Sequence, residues 1–272
     1  MLPAATRMGA VHLTVADLER SLEYYEGTIG LRVLSREDGR ASLGGDTELL
    51  VLVEQPGAPS ARGYSGLFHV ALLVPSRREL ANWFTHAVHD RVALTGASDH
   101  AVSEAIYLRD PDEHGLEIYA DRPREVWEGR VFELMTTEPL DANGLLAEAD
   151  AVGFAGLPGG TVVGHVHFCV SEIPDTIAFY RDTLGFDLVA ALGPEAAFLS
   201  AGGYHHHVGA NTWESRGRGQ APEGSASLRH ATVVMPARDD RDAVAERLGA
   251  VESEHGPLVR DLSGNALVLA HA

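Results

Sequence analysis

The sequence predicts an α+β protein built from four copies of one unit: a strand, a helix and three further strands. Two stretches carry the pattern most clearly, GAVHLTVADLERSLEYYEGTIGLRVL from Gly9 and GHVHFCVSEIPDTIAFYRDTLGFDLV from Gly164. Two weaker copies begin at Gly66, GLFHVALLVPSRRELANWFTHAV, and at Leu228, LRHATVVMPARDDRDAVAERLGAV. Self-similarity at a fixed order of elements is the signature of a repeated unit.

Each element follows from its residues. The opening run of every copy is apolar and short, as a buried strand requires. Asp17 and Asp175 stand near the helix starts, where free backbone N–H groups favour a carboxylate. Leu18, Leu22 and Tyr25 recur at helical spacing, as do Ile173, Ile177 and Tyr180. Gly30 and Gly185 then stop the helices. Short strands follow, for example from Ala41, Ala105 and Gly115. The copies span 9–55, 66–121, 164–213 and 228–271. We group them as an N-terminal domain over 9–121 and a C-terminal domain over 162–272. The crossover between them, 122–161, holds Pro123, Pro139 and GLPGGT, with one short helix expected around Leu145.

Composition narrows the function. The 272 residues carry 21 Lys and Arg against 39 Asp and Glu, a formal charge of −18. That balance argues against nucleic acid, whose phosphates need basic patches. Cys169 is the single cysteine, which excludes internal disulfides and multi-thiolate zinc sites. No run is apolar enough for a membrane span and MLPAATRMGA lacks a signal-peptide core, so the expectation is a cytoplasmic protein without membrane contact. Fourteen histidines, several inside apolar runs, are the unusual feature.

The four modules resemble the vicinal oxygen chelate superfamily, the glyoxalase/bleomycin-resistance/dihydroxybiphenyl-dioxygenase type. The resemblance implies modules paired into curled-sheet cups around a metal. It takes one ligand from the first strand, at Ala10, His69, His165 or His230, and another from the last strand, where module two has Glu117. Counting ligands, only modules two and three complete two histidines and a carboxylate: His69, His165 and Glu117. That facial set leaves positions open on Fe(II), with Mn(II) also permitted. The expected pairing is therefore 2+3 for the working cup and 1+4 for a degenerate one, with His230 structural or vestigial.

SDHAVSEAIYLRDPDEHGLE further resembles the extradiol ring-cleavage dioxygenase signature. His100, Ile106, Tyr107, Asp110, Pro111 and Glu117 match it; Ser98 and Glu113 depart from it. With GGYHHH at 202–207 and DHAVSEA at 99–105, the likeness is to the small bacterial catechol 2,3-dioxygenase subgroup. It implies His100 and Tyr107 as groups that touch substrate oxygens and His206 as the catalytic base. If 205–207 is a strand, His205 and His207 share the face opposite His206, and a bulge would bring either of them into play. His207, Asn211 and Trp213 are candidate substrate-binding residues. The implied reaction joins a catechol and O2 to give a 2-hydroxymuconic semialdehyde-type product, in a self-associating enzyme. Two competing readings are a glyoxalase-type metal-dependent isomerase or lyase and a small-molecule binder such as an antibiotic-sequestering module. His12, His167, His86, His89, His114, His255 and His271 read as structural or surface residues, although His167 shares a face with His165 and could line the cup.

Overall fold

A computed structural model describes residues 1–150 and 153–272. Positions 151 and 152 of the expected crossover lie outside the described residues. Module one comprises β1 (Arg7–Val15), α1 (Leu18–Tyr24), β2 (Arg32–Glu37), β3 (Arg40–Gly44) and β4 (Glu48–Glu54). Module two comprises β5 (Gly66–Leu73), α2 (Arg77–His89), β6 (Leu94–Asp99), β7 (Ser103–Arg109) and β8 (Gly115–Asp121). The crossover forms α3 (Arg124–Trp127), α4 (Val131–Leu134), β9 (Glu138–Pro139) and α5 (Ala142–Leu146). Module three is β10 (Val162–Cys169), α6 (Ile173–Ile177), β11 (Asp187–Leu192), β12 (Ala196–Ser200) and β13 (Val208–Asn211). Module four is β14 (Leu228–Met235), α7 (Arg238–Leu248), β15 (Val251–Ser253), β16 (Gly256–Arg260) and β17 (Ala266–His271).

Two sheets result. One runs β15-β16-β17-β14-β1-β4-β3-β2 and the other β11-β12-β13-β10-β5-β8-β7-β6-β9. Each is joined at its centre by an antiparallel pair from opposite halves of the chain, β1 with β14 and β5 with β10. Modules one and four thus share a sheet, as do modules two and three.

Strand alternation separates core from cup. On β5, Val70 and Leu72 join the main apolar core while His69 and Ala71 face the other way. On β8, Leu116, Ile118 and Ala120 join the core, which leaves Glu117, Tyr119 and Asp121 for the opposite face. On β10, Val166 and Phe168 do the same, leaving His165 and His167. Trp83 of α2 is fully buried in this core.

The helices of modules one and three continue as π-helical turns, Tyr25–Ile29 and Ala178–Leu184, ended by Gly30 (φ 85°) and Gly185 (φ 103°) in the left-handed region. The wider turn aims each tyrosine at a neighbouring module. Tyr25 donates to Asp110 Oδ2 (2.9 Å) and Tyr180 to Asp261 Oδ2 (3.2 Å). Asp110 Oδ1 also accepts from the backbone of Asp112 and His114, so it organises the turn between β7 and β8. The signature residue Asp110 is a brace between modules one and two. Glu113, which departs from the signature's usual Gly or Pro, adopts φ 71° and keeps the turn despite its side chain. Gly115 is required for space: a Cβ there would meet Phe68 O at 1.8 Å. No helix among the described residues is long and apolar enough to cross a membrane.

Candidate metal centre

β5, β8 and β10 lie side by side, and their cup-facing residues converge. His69 Nε2 lies 2.9 Å from Glu117 Oε2, and His165 Nε2 lies 3.1 Å from the same oxygen. The two imidazole nitrogens are 3.3 Å apart, and all three residues are buried. Three ligands at about 2.1 Å from one ion are about 3.0 Å apart at right angles and about 3.4 Å apart in a tetrahedron. The two carboxylate spacings sit nearer the right-angled value and the imidazole pair nearer the tetrahedral one, so the residues present fit a divalent cation with an open face. Burial would push the Glu117 carboxyl up, but His165 and His69 hold it well below the usual carboxylate range. Burial depresses His165, which keeps its imidazole neutral. A carboxylate beside a neutral imidazole is the protonation state that binds metal.

The cluster forms part of the wall of a cavity of about 630 Å³, mostly apolar, that His100, Tyr107, His206 and Trp213 also line. This is the size and character of a small-molecule site. Phe68, Leu108, Phe198 and the crossover residues Phe132 and Met135 form much of the apolar wall.

His100 Nδ1 is 2.7 Å from Thr136 O and its Nε2 is 2.7 Å from the Tyr107 hydroxyl. A carbonyl only accepts, so Nδ1 carries a proton. A neutral His100 therefore accepts from Tyr107 at Nε2, and the phenolic oxygen keeps its lone pairs for a ligand. Burial pushes the Tyr107 hydroxyl well above its usual range, so it stays protonated.

The histidine run departs from the expected strand. Residues 204–207 form an irregular segment that enters β13 only at Val208. His205 and His206 therefore do not point to opposite faces; their Nδ1 atoms are 2.9 Å apart. His205 Nε2 lies 2.9 Å from Asp121 Oδ1. The carboxylate accepts, so a neutral His205 has its proton on Nε2 and a bare Nδ1. His206 must then donate from Nδ1, which leaves its Nε2 as acceptor. Burial, then the neighbouring His165 and His205, hold His206 well below its usual range, in the neutral form. Its ring centroid is 4.1 Å from that of His165.

Two of the candidate substrate contacts are corrected. His207 turns away from the cavity, accepts the Ala201 N–H at Nδ1 (3.1 Å) and packs beside Phe186. Asn211 is fully buried within β13 and accepts the Trp213 N–H (3.1 Å), because the strand ends there and turns. His167 lines the cavity, and His114 is buried with Nε2 2.9 Å from Thr14 O, not on the surface. Sequence reasoning missed Asp121, the carboxylate behind His205, although EIYAD stood beside the ligand strand. It also missed that the crossover walls the cavity. There Arg124 donates to Gly202 O (2.7 Å) and Trp127 lies 5.6 Å from His205, fixing the segment that carries the histidines.

The chain resembles known proteins over most of its length. A catechol-2,3-dioxygenase of Bacillus subtilis strain 168 is 44% identical over 252 residues, covering 89% of this chain and 87% of that one. A crystal structure of a Bacillus subtilis protein, provisionally described as a dioxygenase, superposes with a TM-score of 0.67 at 17% identity, covering 97% of this chain and 85% of that one. Glyoxalase I from Zea mays gives 0.61 at 15% identity, covering 98% and 92%. The profile of the Glyoxalase/Bleomycin resistance protein/Dioxygenase superfamily matches residues 7–118 and 162–266. With a match of that extent on both halves, the chain belongs to the Glyoxalase/Bleomycin resistance protein/Dioxygenase superfamily.

Proposed function

We propose that this protein is an extradiol dioxygenase of the catechol 2,3-dioxygenase type, opening a catechol ring beside the diol at Fe(II) held by His69, Glu117 and His165. The observation that carries the reading is the convergence of two imidazoles and one carboxylate at 2.9–3.3 Å on the wall of an apolar cavity. The 44% identity to a catechol-2,3-dioxygenase supports the same chemistry.

Bound Fe(II) supplies Lewis acidity and brings the diol and O2 together. The remaining work falls to the chain. The apolar wall, with Phe198 and Trp213, accepts the ring and keeps bulk water from it. His206 Nε2, bare in the tautomer that His205 and Asp121 enforce, accepts a phenolic proton and returns it during ring opening. The Tyr107 oxygen accepts from a substrate hydroxyl in the resting state. When charge grows on that oxygen, the phenol turns its own proton from His100 toward it. The product is of the 2-hydroxymuconic semialdehyde type. The same residues would also hold Mn(II). Self-association, as the family resemblance implies, is part of the same reading.

The test is anaerobic loading with Fe(II), then addition of catechols and O2. A yellow ring-opened product is expected. Its absence across several catechols, with iron shown bound, would overturn the proposal, and isomerase activity with Ni(II) without O2 would favour the glyoxalase-type reading.

A further inference from the structure

The second cup, on the sheet of modules one and four, also carries converging histidines. His12 on β1 and His230 on β14 are direct cross-strand partners, and their rings stack at 4.0 Å between centroids. His255, from the turn between β15 and β16, reaches the same point, 4.7 Å from His12 and 4.8 Å from His230. One ligand atom from each of the three lies within 4.8 Å of the other two.

His12 is 5% and His230 3% exposed, yet His12 Nδ1 and His230 Nε2 have no hydrogen-bond partner. Buried imidazole nitrogens are normally satisfied, so each orphan calls for a hydrogen-bond partner or an ion. His255 completes the set: its Nε2 lies 3.0 Å from Glu254 Oε1. With that proton given to the carboxylate, Nδ1 is left to bind, an arrangement that commonly orients metal-bound histidine. Where the first cup has Glu117 beside Ala71, this cup has Val51 beside His12 and Val268 beside Thr232. The site therefore lacks the carboxylate of the other and offers nitrogen alone.

We propose that His12, His230 and His255 form a second, all-imidazole binding site for a borderline divalent cation such as Zn(II), Ni(II) or Cu(II). Three neutral imidazoles suit these ions and discriminate against Mg(II), Ca(II) and Mn(II), which favour oxygen. The cup above is open, lined by Thr232 and Glu48 as well as Arg7 and Arg40, so a fourth position faces solvent. Arg40 and Arg229 lie near the histidines and oppose an added positive charge. They disfavour protonated imidazole, weigh also against a bare cation, and would draw an anion to the open position to accompany it.

The experiment uses the full chain without a histidine tag, stripped with chelator and titrated with Zn(II) against a chromophoric competitor. Wild type should retain two equivalents, and His255→Ala and His12→Gln one each, with ring-cleavage activity of iron-loaded His255→Ala within twofold of wild type. His255 lies on a turn and is partly exposed, so its truncation should leave the fold intact. Anomalous scattering from Zn(II)-soaked crystals should place one ion among the three histidines. One equivalent in wild type, two in both variants, or no anomalous peak at this cup would overturn the proposal.

Discussion

Asp121→Ala tests whether the tautomer of His206 matters. Asp121 Oδ1 accepts from His205 Nε2 at 2.9 Å and from the Tyr204 hydroxyl at 3.2 Å. Tyr204 keeps its 2.8 Å contact with Tyr119, so the loss falls mainly on His205. Without the carboxylate, His205 can place its proton on Nδ1 and donate to His206. That leaves His206 protonated on Nε2, unable to accept from the substrate. A hydrogen bond to a charged group is worth about 1.5–3 kcal/mol. The Asp121 side chain is 24% exposed, so water screens it and the lower end applies. The carboxylate also stabilises, through His205, the imidazolium that His206 becomes on taking the proton, and losing about 1.5–2 kcal/mol of that stabilisation corresponds to a roughly 10–30-fold fall in kcat. KM should change by less than about threefold, since Asp121 does not line the cavity. The assay is steady-state ring cleavage normalised to bound iron, with Asp121→Glu restoring part of the rate. A kcat within twofold of wild type at full iron occupancy would refute the relay.

Further outcomes follow from the same geometry. Glu117→Gln removes the one carboxylate of the first cup, and equilibrium dialysis should show iron affinity down by more than the about 10–100-fold that outer partners command. Tyr25→Phe leaves the buried Asp110 short of one donor and should cost about 1–3 kcal/mol, a melting temperature lower by roughly 2–8 °C in calorimetry. Burial, then His205, depresses His207 to about 3, so it is neutral in the fold and takes up a proton on unfolding below its ordinary value of 6.5. Its contribution is whole above pH 6.5 and is lost as pH falls toward 3, with a slope of up to about 1.4 kcal/mol per pH unit. Urea unfolding from pH 4 to 7 should show a steeper total slope, because His12 and His230 are depressed too, and His207→Gln should flatten it by the His207 share.

What the sequence revealed was what repeats reveal. The first strands of three of the four modules aligned on histidine, at His69, His165 and His230 with Ala10 in module one, and the ligand count singled out modules two and three. The unseen part is where chain trace departs from period. His205 to His207 read as strand because β13 follows at once, but Gly202 and Gly203, both at positive φ, turn the chain and put adjacent histidines in contact. His255 read as surface because it sits alone on a turn; only the pairing of β1 with β14 brings it to His12. The crossover is polar and proline-marked, so nothing in its periodicity announced that Phe132, Met135 and Trp127 pack around the site.

The central claim is the iron centre at His69, Glu117 and His165. Anomalous scattering at the iron edge, from crystals grown anaerobically with Fe(II), tests it most directly. One peak within bonding distance of His69 Nε2, His165 Nε2 and a Glu117 carboxylate oxygen is the predicted result. Iron found only among His12, His230 and His255, or absent from the first cup while catechol is being cleaved, would contradict it.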